Sequence, residues 1–162
     1  MSRLLCLLFL IPLLLYSCAD SPNFDVVPKI EYLRMSKSEM IQGSFSTDSI
    51  IIEVAFKDGD GDLGLNDPTS GPNVFLRDSR TNQIYSSYRI SEIPEVGANN
   101  GVEGVMFLKV YNSCCIFDAG IPPCEVTPSV PFNELTFDIY LFDDAGHQSN
   151  TVKTEVIRLL CQ

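Results

Sequence analysis

The residues with the clearest capacity for chemistry form one short stretch, Asp58-Gly59-Asp60-Gly61-Asp62-Leu63-Gly64. It follows directly on an apolar run, Ile50-Ile51-Ile52-Glu53-Val54-Ala55-Phe56. Carboxylates at alternate positions repel one another, and they are tolerated together when they face water or share a cation. Oxygen ligands at positions one, three and five make the first half of a calcium loop, and intervening glycines allow the positive φ that wrapping an ion requires. The plainer alternative is a solvated acidic turn at the end of a strand. The helix-flanked calcium loop does not fit: Leu63 stands where position six requires Gly, Thr69 where position twelve requires Glu, and the flanks read as strand and coil. The expectation is a structural calcium.

The elements that must position this stretch have a period of two. Apolar residues alternate over short runs separated by Gly, Pro, Asn and Asp, and no convincing helix interrupts them. The expected strands are 27–35, 49–57, 74–77, 83–90, 102–111, 135–142 and 151–160, with 49–57 the strongest. Residues 36–48 read as a loop or a short irregular edge, 66–73 as turns, 92–101 as a loop, and 113–131 as a Cys- and Pro-rich insertion. In 151–160, Val152 and Val156 are in one phase and Ile157 and Leu159 in the other, which predicts a bulge or twist. About seven half-apolar strands without helical crossovers must cover one another as an all-β antiparallel sandwich, with a small closed barrel as the alternative.

Length and charge narrow the function. A chain of 162 residues suits one domain, and a formal charge of −10 with no basic patch argues against nucleic acid. Acidity favours solubility and cation binding. No Gly-x-Ser-x-Gly elbow, His-Glu-x-x-His helix or phosphate loop is present, so no residue is assigned a catalytic role.

The first seventeen residues read as an address. Arg3 precedes a nearly unbroken apolar segment from Leu4 to Leu15, too short to span a bilayer but suited to a secretory signal. Leu15-Tyr16-Ser17-Cys18 resembles the lipobox of bacterial lipoproteins, with Tyr16 bulkier than the usual occupant. The resemblance implies a signal peptide over 1–17 and a diacylglyceryl, N-acylated Cys18, giving two or three acyl chains and stable membrane anchoring. Ala19 follows Cys18 where the familiar sorting rule for inner-membrane retention has Asp, so the outer membrane is expected. Residues 18–26 read as the lipidated Cys and a short tether, and 27–162 as the domain.

The ending Ile139-Tyr140-Leu141-Phe142-Asp143-Asp144-Ala145-Gly146-His147-Gln148-Ser149-Asn150 resembles the last hairpin of bacterial immunoglobulin-like domains, which often carry an Asp-x-Ala-Gly-Asn-x-Ser turn; His147 replaces the usual Asn. The pattern from Phe56 to Gly64 resembles one found beside such endings in bacterial outer-membrane lipoproteins. The resemblance implies an immunoglobulin-like sandwich. If 49–57 is its second strand and the last two runs its final pair, the loop after Phe56 and the Asp143-Asp144 turn emerge at the same end. Asp58, Asp60, Asp62, Asp143 and Asp144 then form the expected calcium set.

Cys6 leaves with the signal and Cys18 is the anchor, so four cysteines remain: Cys114, Cys115, Cys124 and Cys161. An even count in an exported chain favours two disulfides. Pairing the adjacent Cys114 and Cys115 is the most strained arrangement; the other two connectivities stay open. A zinc site from these thiols with His147 matches no familiar spacing, and His147 reads as an exposed turn residue. The functional expectation is a lipid-anchored envelope module that binds or scaffolds a partner through its loops, the partner being an envelope protein. Alternatives are a purely structural envelope protein, a glycan-binding protein using Tyr85, Tyr88 and Phe117, and a small hydrolase.

Overall fold

The alternating pattern is realised as strands throughout a computed structural model that describes residues 24–65, 67, 69–91, 93, 101–117, 120–127 and 129–162. The signal segment, Cys18 and residues 19–23 lie outside the described residues, as does most of the expected 92–101 loop. The strands are β1 (Lys29–Met35), β2 (Glu39–Ile41), β3 (Ser49–Asp58), β4 (Val74–Asp78), β5 (Ile84–Tyr88), β6 (Val102–Tyr111), β7 (Phe132–Leu135), β8 (Phe137–Leu141), β9 (Val152–Lys153) and β10 (Ile157–Leu160).

Three hydrogen-bonded groups result, in the orders β1-β3-β6, β5-β4-β8-β9 and β2-β10-β7. Thr136 alone separates β7 from β8, and residues 154–156 separate β9 from β10, so the second and third groups continue one another. The chain is an immunoglobulin-like antiparallel β-sandwich, with β1-β3-β6 as one layer; it is not a closed barrel. Pairing is antiparallel except for β2, which runs parallel to β10. The expected phase change near the C-terminus falls at 154–156: Thr154 there donates its N–H to Phe137 O at 3.0 Å and accepts the Phe137 N–H on its hydroxyl at 3.0 Å. Ile157 and Leu159 then turn inward, and Val156 outward.

The core lies between the layers. Ile50, Ile52 and Val54 of β3, Leu76 of β4, Ile139 and Leu141 of β8, and Ile157 and Leu159 of β10 are fully buried. Each such side chain contributes roughly 1.5–3 kcal/mol relative to exposure, so the period-two pattern decides which face of each strand turns inward. Polar side chains tie the layers at both sides. Asn150 accepts the Ile30 N–H and donates to Ile30 O, both at 2.8 Å, and so behaves toward β1 as a strand edge would. Tyr85 and Tyr88 of β5 donate their hydroxyls to Tyr111 O (2.7 Å) and Lys109 O (2.6 Å) of β6. These two tyrosines and Phe117 pack against the core, so they are not the open aromatic platforms that a glycan site would use.

The insertion is stapled at the end of the sandwich where β3 begins. Cys114 pairs with Cys124 and Cys115 with Cys161, with Cα–Cα separations of 4.5 and 5.9 Å. The open register is thereby resolved, and the paired sulfurs have no thiolates to offer zinc. A nearly buried ion pair, Asp78 with Arg80 at 2.7 Å, holds the β4–β5 turn against this region, because Arg80 also donates to Ser113 Oγ at 3.1 Å.

In the chain-entropy account, closing the longer loop removes more disorder from the unfolded state. Sequence separations of 46 and 10 residues correspond to about 4 and about 2.7 kcal/mol. Replacing Cys115 and Cys161 together by Ala is expected to destabilise the domain more than replacing Cys114 and Cys124 together. Denaturant unfolding of the two variants checks this order; the reverse order contradicts it.

Candidate metal centre

The centre begins with the phase of β3. Its inward positions are Ile50, Ile52, Val54, Phe56 and then Asp58, so the alternation that builds the core carries a carboxylate into it at the strand's last residue. Asp58 is 0 % exposed, and among the described residues neither of its side-chain oxygens makes a hydrogen bond of good geometry, although the nearby Gly61 N–H favours its charged form. A buried, unpaired carboxylate is unfavourable unless it is protonated or compensated by a cation.

The loop then turns back on itself. Gly61 has φ +78°, which folds Asp62 toward Asp58. Leu63 and Leu65, which follow the turn, are buried, and Leu63 packs in the hydrophobic core. Oxygens of Asp58, Asp60 and Asp62 lie within 4.8 Å of one another, with Asp60 exposed to solvent.

The second acidic turn meets this one. Asp144 donates its N–H to Asp62 O at 3.0 Å, and Ala145 donates its N–H to Asp62 Oδ2 at 3.1 Å. The other Asp62 oxygen, Oδ1, is buried without a partner. Asp143 is buried behind the cluster, where its Oδ1 accepts the His147 N–H at 2.7 Å and its Oδ2 lies 2.8 Å from His147 Nδ1. Of the five acids expected to converge, three share one space. Asp143 stands behind them, engaged by His147, and Asp144 contributes its backbone N–H while its side chain is exposed. His147 is a turn residue as expected, but its pairing with Asp143 was not legible from spacing alone.

Asn73 is the residue that sequence reasoning missed. It is 3 % exposed and donates its side-chain amide to both Leu63 O and Phe142 O at 3.0 Å. Its Oδ1 accepts the Ile90 N–H at 2.9 Å. One amide thus joins the acidic loop, the last hairpin and the segment after β5. In Gly71-Pro72-Asn73 it reads as an ordinary turn residue, and only the fold shows that its turn is buried.

The residues just before β1 also sit here. Asp25 O accepts the Gly59 N–H at 2.9 Å, and a Cβ on Gly59 would lie 2.5 Å from Phe24 O. Phe24 and Asp25, which the sequence assigns to a free tether, therefore pack on the residue between Asp58 and Asp60.

The electrostatics follow from burial and crowding. Asp58 is pushed up to about 6, first by burial and then by Asp60, Asp62 and Asp143. Asp62 is also raised to about 6, by burial and then by Asp143 and Asp60. His147 is raised above its ordinary value of 6.5 by its hydrogen bond to Asp143. All three shifts favour the protonated form in the fold. Without a cation, these groups therefore make stability fall as pH rises from about 4 through 6 and on past 6.5. The opposite trend, from Asp25, Asp48 and Asp67 with lowered values, operates only below their ordinary 3.8.

Calcium-stripped protein is accordingly expected to melt at a higher temperature at pH 5 than at pH 7.5; a melting temperature that is flat or rises over this range contradicts the account. Asn73→Ala is expected to cost about 3 kcal/mol, because it leaves buried backbone groups unpaired, and denaturant unfolding measures it. The chain matches no family model, no curated protein and no solved structure.

Proposed function

We propose that this chain is a lipid-anchored, non-catalytic module of the bacterial cell envelope, a binding or scaffold domain braced at one pole by a structural calcium ion. The observation that carries the calcium reading is Asp58: wholly buried, unpaired, and within one small space of Asp60 and Asp62. A solvated acidic turn would leave its first carboxylate in water, and this one is not. Calcium binds oxygens at about 2.3–2.6 Å, so two ligands of one ion lie at most about 4.6–5.2 Å apart. One oxygen from each of the three carboxylates lies within 4.8 Å of the others, which is compatible with that sphere. Calcium is favoured over magnesium because it accepts carboxylate oxygens in flexible geometry, whereas magnesium demands a near-ideal octahedron and keeps its waters. The ion would offset two of the three clustered negative charges and lock the acidic loop to the last hairpin.

The anchor reading is supported by Leu15-Tyr16-Ser17-Cys18 and its resemblance to a lipobox. The resemblance points to the outer membrane and to an envelope protein as partner. The opposite end of the sandwich offers such a partner exposed apolar residues, Phe45 at 86 % and Val126 at 62 % exposure, with Ile116 and Phe132 beside a depression of about 430 Å³. The non-catalytic reading is supported by the surroundings of His147. Asp143 and His147 resemble two members of a hydrolytic triad. Among the described residues, however, no hydroxyl or thiol hydrogen-bonds the imidazole, and the nearby Ser149 hydroxyl donates to Asn150 O at 2.7 Å.

Calcium at a hundredfold excess over its dissociation constant is expected to add about 2.7 kcal/mol, or roughly 5–10 °C in melting temperature. Asp60→Asn, at an exposed position that folding tolerates, is expected to remove most of that gain. A calcium titration followed by thermal melting decides the point, and no shift in the unaltered protein overturns the calcium reading. Separately, Cys18→Ala is expected to move the protein from the membrane to the soluble fraction on cell fractionation; retention in the membrane contradicts the anchor.

A further inference from the structure

The longest outer margin of the sandwich is the edge of β6. Its ten residues keep an unbroken register with β3, from Val102 opposite Asp58 to Tyr111 opposite Ser49. Just past the strand, Asn112 donates its N–H to Asp48 O at 3.0 Å. Hydrogen-bonded pairs alternate along an antiparallel ladder, so the even-numbered residues of β6 bond to β3. The odd-numbered ones, Glu103, Val105, Phe107, Lys109 and Tyr111, direct their N–H and C=O groups away from it. The tyrosine bonds agree, because the carbonyls that Tyr88 and Tyr85 reach belong to Lys109 and Tyr111.

Other margins are short or covered. β2 has three residues; its outward Ile41 donates its N–H to Asp48 Oδ2 at 3.0 Å and accepts from Asn112 Nδ2 on its carbonyl at 2.7 Å. β1 shifts register between Tyr32 and Arg34, and Asn150 engages both main-chain groups of Ile30. On β6, among the described residues, nothing bonds the outward main-chain groups of Glu103, Val105 and Phe107. That stretch has no Pro, no bulge and no Lys, which are the usual protections of an exposed edge. Its outer face is apolar where it is open, with Val105 43 % and Phe107 65 % exposed.

A long, straight, apolar edge is a template for another strand, and the residues of β6 indicate which one. Against a second copy, outward main-chain groups meet only when odd-numbered residues face odd-numbered residues. Centred on Met106, such a pairing sets Val105 opposite Phe107 and Glu103 opposite Lys109, and two-fold symmetry repeats each pair. Centred on Val105, it would set Glu103 against Phe107; centred on Phe107, Lys109 against Val105. Of these three registers, the one about Met106 alone sets apolar against apolar and acid against base, the favourable cross-strand pairs. Within a chain of net charge −10, the charges of β6 balance, Glu103 against Lys109, so copies do not repel along this edge. Glu103 also lies 3.5 Å from Lys57, but both side chains are more than half exposed and such a pair is weak. Lys109 Nζ rests over the Tyr111 ring at 4.9 Å.

We propose that β6 is a self-association edge: two copies of this chain join antiparallel about Met106. Val105 and Phe107 of opposite copies exchange main-chain hydrogen bonds, and Glu103–Lys109 ion pairs flank them. The two β1-β3-β6 layers then form one continuous sheet. Because Lys109 O already accepts the Tyr88 hydroxyl, the new ladder centres on Val105 and Phe107, and the dimer is a weak one. The acidic loop takes no part in it.

The test uses the mature chain with Cys18→Ala, so that no acyl chain drives association, in sedimentation velocity from micromolar to millimolar concentration. The expected result is a concentration-dependent shift from monomer to dimer. Val105→Pro removes an N–H that no β3 carbonyl uses, and it is expected to weaken dimerisation at least about tenfold. Phe107→Lys places a charge on the edge and is expected to do the same; it serves where the proline variant fails to fold. Glu103→Lys and Lys109→Glu are each expected to weaken the dimer several-fold, and the two together to restore it, because the exchanged charges again face one another. A chain that stays monomeric throughout overturns the proposal, as does a dimer that survives both edge substitutions. A double charge exchange as weak as the single ones overturns the register about Met106, and the proposal with it.

Discussion

The structure depends on a conflict at the end of β3. The hydrophobic effect fixes the phase of that strand, because Ile50, Ile52 and Val54 must all face the core. The same phase forces Asp58 inward, where its carboxylate is shielded from solvent and, among the described residues, meets other carboxylates and no cation. Everything around the pole answers this one unfavourable group. The glycines fold Asp62 back beside it, the second acidic turn closes over Asp62 with two backbone N–H groups, and His147 engages Asp143. Among the described residues no positive charge meets the inner side of the pole, and a proposed calcium supplies it. Protonation is the competing answer, and the raised values of Asp58 and Asp62 show how far burial already pushes that way.

The sandwich is polarised along its strands. One end carries the acids, Phe24 and Asp25, and the buried Asn73. The other carries both disulfides, the Asp78–Arg80 pair and the exposed Phe45. Each end is stiffened by a different means. Charge and hydrogen bonds fix the first, and covalent staples fix the second, where the long insertion has too few apolar residues to pack itself.

Much of the fold was legible because period-two alternation is strong in β3, β6 and β8, whose inward faces are the ones the sequence predicts. The meeting of the two acidic turns was legible only through topology: no local signal links Asp62 to Asp144 and Ala145, but the immunoglobulin-like connection places both loops at one end. Three features were not legible. Parallel pairing of β2 with β10 involves three residues in a polar segment and leaves no periodic mark. Asn73 resembles any turn asparagine until its burial is known. Tyr85 and Tyr88 sit in a strand that reads as half-exposed, and their hydroxyls find β6 carbonyls across the layers. In each case the missing information was a long-range partner.

The most direct test of the central claim is a crystal structure of the mature domain grown in millimolar calcium. The account predicts a single strong peak with oxygens of Asp58, Asp60 and Asp62 at about 2.3–2.6 Å, and Asp58 deprotonated against it. A site holding only water, with Asp58 protonated and donating a hydrogen bond to a neighbouring oxygen, would contradict it.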